Sequence, residues 1–141
     1  MIEFRLANSA DAPELKKLND LFNGVGNTTA EAIAESLEKN GQEIVCVATD
    51  GNRLVGFCCG QMLQSMCHAC KYAEITELFV MDECRRQGIG KQLLCMTEKE
   101  LSKRGVSHLH ILTGSENFVA QSLYRECGYG GTSEILLDKN L

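Results

Sequence analysis

The stretch ECRRQGIGKQLL, residues 83–94, sets two arginines, a glutamine and two glycines against the start of an apolar run with helical spacing. Gly88 and Gly90 let the backbone approach a ligand closely, and Arg85 and Arg86 just before them favour an anion. Upstream, AEITELFVM (residues 73–81) reads as a strand with apolar residues at both parities, Ile75 and Phe79 on one and Leu78 and Val80 on the other. Such a strand is expected to be buried on both faces. Downstream, Ile89, Leu93, Met96 and Leu101 keep helical spacing, and Lys103, Arg104 and Gly105 suit a helix end. A strand that runs through a glycine turn into a helix points several unpaired backbone N–H groups at one spot beside Arg85, Arg86 and Lys91. That geometry suits a pyrophosphate, and an ordinary helix start with solvated basic side chains fits the same residues. Leu93 stands where the dinucleotide-binding fingerprint needs a third glycine. Arg85 and Gln92 likewise break the Walker A pattern at its first glycine and at its Ser/Thr.

Outward from this segment the chain is regular. IEFRL (residues 2–6) alternates through Ile2, Phe4 and Leu6, the period of a half-buried strand. Asp11 can cap a following helix, Pro13 suits its first turn, and Leu15, Leu18 and Phe22 share a face before NGVGN (residues 23–27) ends it. Thr28 with Glu31 makes a capping-box pattern for a second helix carrying Ile33 and Leu37, which Gly41 stops. Residues 43–63 read as two strands joined at Asp50-Gly51, a hairpin signal. VSHLHILT (residues 106–113) predicts a strand, residues 117–127 a helix closed by Gly128, and SEILLDK (residues 133–139) a final strand. No repeat, low-complexity segment or linker interrupts the order, so one mixed α/β domain is expected.

Composition limits the partners. The 14 basic against 19 acidic residues leave a net charge of −5, so no global basic field exists for a nucleic acid or an anionic membrane, and neither is expected as a partner. An anion site must be local. The N-terminal segment has no apolar core of signal-peptide length and no run approaches a membrane span, which makes a cytoplasmic protein the expectation. The eight cysteines lie in and beside regular apolar elements and read as reduced thiols. CHAC, Cys67 to Cys70, would need Cys58 or Cys59 to complete a zinc site, yet adjacent strand residues face opposite sides, so a plain loop and no metal are expected. His108 and His110 share a strand face without ligand partners and read as a solvated or core-satisfied pair.

Two further places could carry chemistry. Asn117, Ala120 and Tyr124 share one helix face, where a buried tyrosine with a satisfied hydroxyl is the plain reading. Glu77 lies inside a strand that otherwise looks buried, sharing its parity with Ile75 and Phe79 unless a bulge resets the alternation. A carboxylate there pairs with a cation, titrates high or faces a cleft, and the last two suit a general base. Glu74 is its nearest rival.

The pattern Arg-x-x-Gly-x-Gly (Arg85, Gly88, Gly90) after ELFV, with FRLANSADAPEL at the start and ENFVAQSLYRECGY near the end, resembles the GNAT superfamily of N-acetyltransferases over nearly the whole chain. Arg86 replaces the small residue common before the glycine pair, and Asp82 replaces the frequent proline after the strand. The resemblance implies a single domain over residues 1–141 with a central mixed, mostly antiparallel sheet flanked by helices. It implies acetyl-CoA as cosubstrate and direct transfer to an amine in one ternary complex. The backbone of Gln87, Gly88, Ile89, Gly90 and Lys91, helped by Arg85 and Arg86, would hold the coenzyme's pyrophosphate, and Phe79 and Val80 would pair with its pantetheine arm. Asn117 and Tyr124 would line the coenzyme, with Tyr124 protonating the departing thiolate and Glu77 activating the amine. Glu74, Glu77 and the net −5 favour a cationic acceptor such as an aminoglycoside, a polyamine or a peptide amine. Short chains of this kind often form homodimers. The alternative is an acyl-CoA sensor, which needs the glycine turn but neither Glu77 nor Tyr124.

Overall fold

The computed structural model describes residues 1–141. Strand β1 (Ile2–Leu6) leads through a 3-10 turn (Ser9–Asp11) into helices α1 (Ala12–Asn23) and α2 (Ala30–Lys39). Strands β2 (Glu43–Asp50), β3 (Arg53–Leu63) and β4 (Lys71–Val80) follow, then a second 3-10 turn (Asp82–Cys84), α3 (Ile89–Lys103), β5 (Val106–Ile111) and α4 (Phe118–Glu126). The strands form one sheet in chain order, antiparallel except for the β4–β5 pair, which α3 connects as a crossover helix. Gly51 turns the expected β2–β3 hairpin at φ 60°. No helix is long and apolar enough to cross a membrane.

Each face of the sheet has its own core. On one, Ile89, Leu93, Leu94 and Leu101 of α3 pack on Cys46, Val55, Cys58 and Ile75. On the other, Leu15 and Leu18 of α1 pack on Val47, Phe57, Cys59 and Phe79, with Ile33 and Leu37 of α2 at the rim. Cys58 and Cys59 therefore do face opposite sides, as alternation requires. Two glycines of β3 let α3 and β4 come close. A Cβ at Gly60 would lie 2.8 Å from Leu101 Cδ1, and one at Gly56 would lie 2.8 Å from the Phe79 carbonyl oxygen and 3.1 Å from Leu93 Cδ1.

The fold corrects four expectations. Residues 133–139 form no strand: Ile135, Leu136 and Leu137 are 81%, 70% and 84% exposed, and β5 ends the sheet. A strand is stabilised by its neighbour's ladder, and this segment has none and only one β-branched residue, Ile135, to favour a strand. Asp11 occupies the N-cap position of α1 but caps nothing there; its carboxylate accepts from Arg5 at 2.7 and 2.8 Å and from the Asn8 N–H at 2.9 Å. The Arg5 hydrogen bond holds the Asp11 carboxyl below its usual range, with burial opposing it and the Asn8 amide assisting. Asn8 caps the preceding 3-10 turn, accepting from the Ala10 N–H at 2.9 Å. Thr29, one residue later than expected, caps α2 by accepting from the Ala32 N–H at 3.1 Å. Finally, β4 is not buried throughout, since Tyr72, Glu74 and Glu77 are half-buried and Thr76 is exposed.

Candidate active site

A bulge explains the open stretch of β4. Glu77 pairs with Cys59 and Ile75 with Gly60, which leaves Thr76 as the extra residue. Ile75 accordingly packs on the α3 side while Phe79 packs on the α1 side. Glu77 shares a face with Phe79 but not with Ile75, and the reset brings Glu74 and Glu77 to the same, α1-facing side. Asn23, the last residue of α1, donates from Nδ2 to Glu77 Oε2 at 3.5 Å. Asn27 ties the loop beyond it, donating to the carbonyls of Asn23 and Gly24 at 2.9 Å each.

Register continues this polar face across the sheet, Glu43 opposite Gln61, Gln61 opposite Glu74, and Glu74 opposite His110. His110 Nε2 lies 3.5 Å from Glu74 Oε1, and its ring lies 6.0 Å from that of Tyr72. The histidine pair thus sits beside β4 carboxylate and aromatic groups. Burial, then the neighbouring Glu77 charge, pushes the Glu43 carboxyl up.

The β4–β5 ladder stops at Ile75–Ile111 while β4 continues to Val80, so Glu77 to Val80 have β3 on one side and no strand on the other. Just beyond lies the glycine turn. The N–H groups of Arg86, Gln87, Gly88, Ile89, Gly90 and Lys91 donate to no protein acceptor, and the first amide bond of α3 runs from Gln92 to the Gly88 carbonyl at 3.1 Å. Gly88 takes φ 76° at the N-cap position with no side-chain cap, and Arg86, at φ 63°, is the one non-glycine residue with positive φ. Left-handed residues in such a turn gather successive N–H groups into a concavity that binds anions. Strain of about 1–2 kcal/mol at a non-glycine position is the kind found at functional sites.

The basic side chains divide the work. Arg85 is engaged with the protein: Nε donates to the Val80 carbonyl at 3.0 Å, Nη1 pairs with Asp82 at 2.9 Å, and the guanidinium sits 5.9 Å from the Phe79 ring centroid. It braces the end of β4. Arg86 and Lys91 are exposed at the turn itself. A Cβ at Gly90 would stand 3.6 Å from Leu123 Cδ2 and 3.8 Å from Val80 Cγ2, so α4, the end of β4 and the start of α3 converge here.

From α4 come the remaining expected residues. Asn117 caps the helix, its Oδ1 accepting from the Ala120 N–H at 3.2 Å, which leaves its amide N–H₂ for other partners. Tyr124 is half-buried against the α3-side core. Burial, with Cys58 second, pushes its phenol up, so it keeps its proton through neutral pH. Sequence reasoning missed Asn23 as the partner of Glu77, although NGVGN is polar and glycine-rich as binding loops are. It also missed Tyr129, whose hydroxyl donates to Glu98 Oε2 at 2.7 Å. Cys67 and Cys70 are exposed between β3 and β4.

The pattern of the acetyltransferase (GNAT) family matches residues 13–129. An uncharacterised N-acetyltransferase of Chlorobaculum tepidum is 29% identical over 122 residues, covering 86% of this chain and 74% of that protein. Among solved structures, the aminoglycoside acetyltransferase meta-AAC0020 from an uncultured soil metagenomic sample, in complex with trehalose, matches with a TM-score of 0.85 at 20% identity, over 99% of this chain and 95% of that one. AAC(6')-Iy in complex with the bisubstrate analog CoA-S-monomethyl-acetylneamine matches with a TM-score of 0.86 at 17% identity, over 100% and 99%. At such identities these two structures establish the shared fold.

Proposed function

The chain belongs to the acetyltransferase (GNAT) family, and from that membership we propose that it moves the acetyl group of acetyl-CoA to a primary amine of a cationic acceptor within one ternary complex. The observation that carries this reading is the meeting of the free N–H run of residues 86–91 with the end of β4, which has no strand along its outer edge. One suits a pyrophosphate and the other an extended amide-bearing arm.

Acetyl-CoA supplies the activated acetyl group as a thioester. Backbone N–H groups from Arg86 through Gln87, Gly88, Ile89 and Gly90 to Lys91 hold the pyrophosphate, and the side chains of Arg86 and Lys91 add charge. Arg85 acts mainly by bracing Val80, so that the peptide groups of Phe79 and Val80 stay aligned for the pantetheine arm. Asn117 lines the coenzyme with the amide N–H₂ that its capping role leaves free.

Glu77 takes the proton of the attacking amine, directly or through one water. At pH 7 an alkyl amine with pKa about 10 is neutral in about one molecule in a thousand, a deficit of roughly 4 kcal/mol that a positioned base helps to recover. Attack forms the C–N bond as the C–S bond breaks, the second proton lost from nitrogen passes like the first through Glu77 to solvent, and Tyr124 donates its phenolic proton to the leaving sulfur and regains one from solvent. The acceptor lies on the open α1-facing side of the sheet, where Glu43, Glu74 and Glu77 favour an ammonium group. The likeness to two aminoglycoside-related structures supports an aminoglycoside-like acceptor, with a polyamine or peptide amine as the other members of the class.

The test pairs calorimetric titration of acetyl-CoA with CoA-thiol release against a panel of aminoglycosides, polyamines and short peptides. Glu77→Gln and Tyr124→Phe should bind acetyl-CoA within about twofold of wild type and release thiol at least tenfold more slowly. Wild-type turnover from Tyr124→Phe would remove it as the acid, and coenzyme binding without release from any amine would favour the sensor.

A further inference from the structure

Helix α4 ends in a specific C-terminal motif. Gly128, at φ 95°, donates its N–H to the Arg125 carbonyl at 3.0 Å, and the Tyr129 N–H returns to the Tyr124 carbonyl at 3.0 Å. This pair of bonds is the Schellman arrangement, in which the residue after the glycine folds back on the residue that opens the last turn. Those two residues are Tyr129 and Tyr124. Their rings meet edge to face with centroids 6.2 Å apart at 64°.

Tyr129 is also fixed at its far end. Its hydroxyl donates to Glu98 Oε2 at 2.7 Å, the length of a charge-assisted bond, and Glu98 belongs to α3, whose first turn carries the free N–H groups. Burial and this carboxylate push the Tyr129 phenol well up, so the donor keeps its proton across the working range. The side-chain bonds of α4 and its end engage Asn117, Gln121 and Tyr129, whereas the Tyr124 hydroxyl is bonded to no protein group. The orientation of Tyr124 therefore depends on what packs against its ring.

We propose that Tyr129, locked to Glu98, is a positioning residue that holds the Tyr124 ring in the orientation from which its hydroxyl reaches the leaving sulfur. This rests on Tyr124 being the acid. A proton donor displaced by about 1 Å loses rate steeply, up to about a hundredfold, while coenzyme binding elsewhere is untouched. The helix end supplies the geometry, and the Glu98 bond makes it rigid.

The experiment compares Tyr124→Phe, Tyr129→Phe, their double variant, Glu98→Ala and Glu98→Gln in acetyl-CoA turnover with the best amine of the panel. Tyr129→Phe and Glu98→Ala should lower kcat about three- to tenfold with KM for acetyl-CoA within twofold, and Glu98→Gln, which keeps an acceptor oxygen, should restore most of it. The double variant should be no slower than Tyr124→Phe alone. The chain has three tyrosines, so ¹³C-tyrosine spectra can follow Tyr124 without any acceptor; its ring signal should shift or broaden in Tyr129→Phe and Glu98→Ala but not in Glu98→Gln. A slow Tyr124→Phe beside a wild-type Tyr129→Phe, additive losses in the double variant, or an unmoved Tyr124 signal would overturn the positioning role and leave the acid assignment standing. A wild-type rate for Tyr124→Phe would instead remove the acid and this inference with it.

Discussion

Replacing Arg86 by glycine separates two jobs that one residue performs. At φ 63° the arginine holds a left-handed backbone that costs an L-residue about 1–2 kcal/mol, while glycine adopts it freely. Glycine's greater freedom in the unfolded chain takes back roughly 0.5–1 kcal/mol, leaving a net stabilisation of about 0.5–1 kcal/mol, or about 2–4 °C in Tm for a chain of this size. Binding should move the other way. One unit charge about 4 Å from a phosphate in water contributes about 1 kcal/mol, so Arg86→Gly should raise the Kd for CoA about fivefold. Arg86→Ala loses the same charge and keeps the strain. Thermal unfolding without ligand should therefore rank glycine above alanine, and calorimetry should find both variants equally weakened. Equal Tm values would refute the strain, and an unchanged Kd would refute the placement of Arg86 on the pyrophosphate.

Three other outcomes follow from the geometry. Gly56→Ala would place a Cβ 2.8 Å from the backbone oxygen of Phe79, which cannot easily move, so a loss of about 2 kcal/mol in urea unfolding and weaker coenzyme binding are expected. Asp11→Asn should destabilise by about 1–2 kcal/mol at pH 7. Because the Arg5 bond depresses the folded-state pKa of Asp11, its stabilisation is present above the ordinary carboxylate range and is lost as pH falls through the depressed value; the gap between wild type and variant should narrow in that window. Thiol titration of the native protein should show fast reaction at exposed Cys67 and Cys70 and slower reaction at Cys95 and Cys127. Cys46, Cys58, Cys59 and Cys84 should stay silent until the chain is denatured; burial pushes the Cys58 thiol up to about 12, and the thiolate is the reactive form.

Local signals made much of this fold legible. Helical spacing from Ile89 to Leu101 located α3, Asp50-Gly51 located the hairpin, and the glycine turn located the free amides, because each depends on residues adjacent in sequence. What escaped depends on distant residues. The failure of residues 133–139 to form a strand turns on the absence of a neighbour, which propensity does not encode. The bulge at Thr76, which decides whether Glu77 faces Ile75's side or Phe79's, inserts one residue without disturbing the composition. Arg85 was legible as a basic group beside the turn, but its bonds to Val80 and Asp82 required the end of β4 to be in place. Tyr129 reaching Glu98 across thirty-one positions follows the same logic.

The most direct measurement is an amide NMR titration of the ¹⁵N-labelled protein with CoA. Binding of the pyrophosphate by the free turn requires the N–H signals of Arg86, Gln87, Gly88, Ile89, Gly90 and Lys91 to move together, with the largest downfield shifts in the spectrum, and the Phe79 and Val80 amides to respond beside them. Saturable binding that leaves those amides in place, or no binding at all, would contradict the account at its foundation.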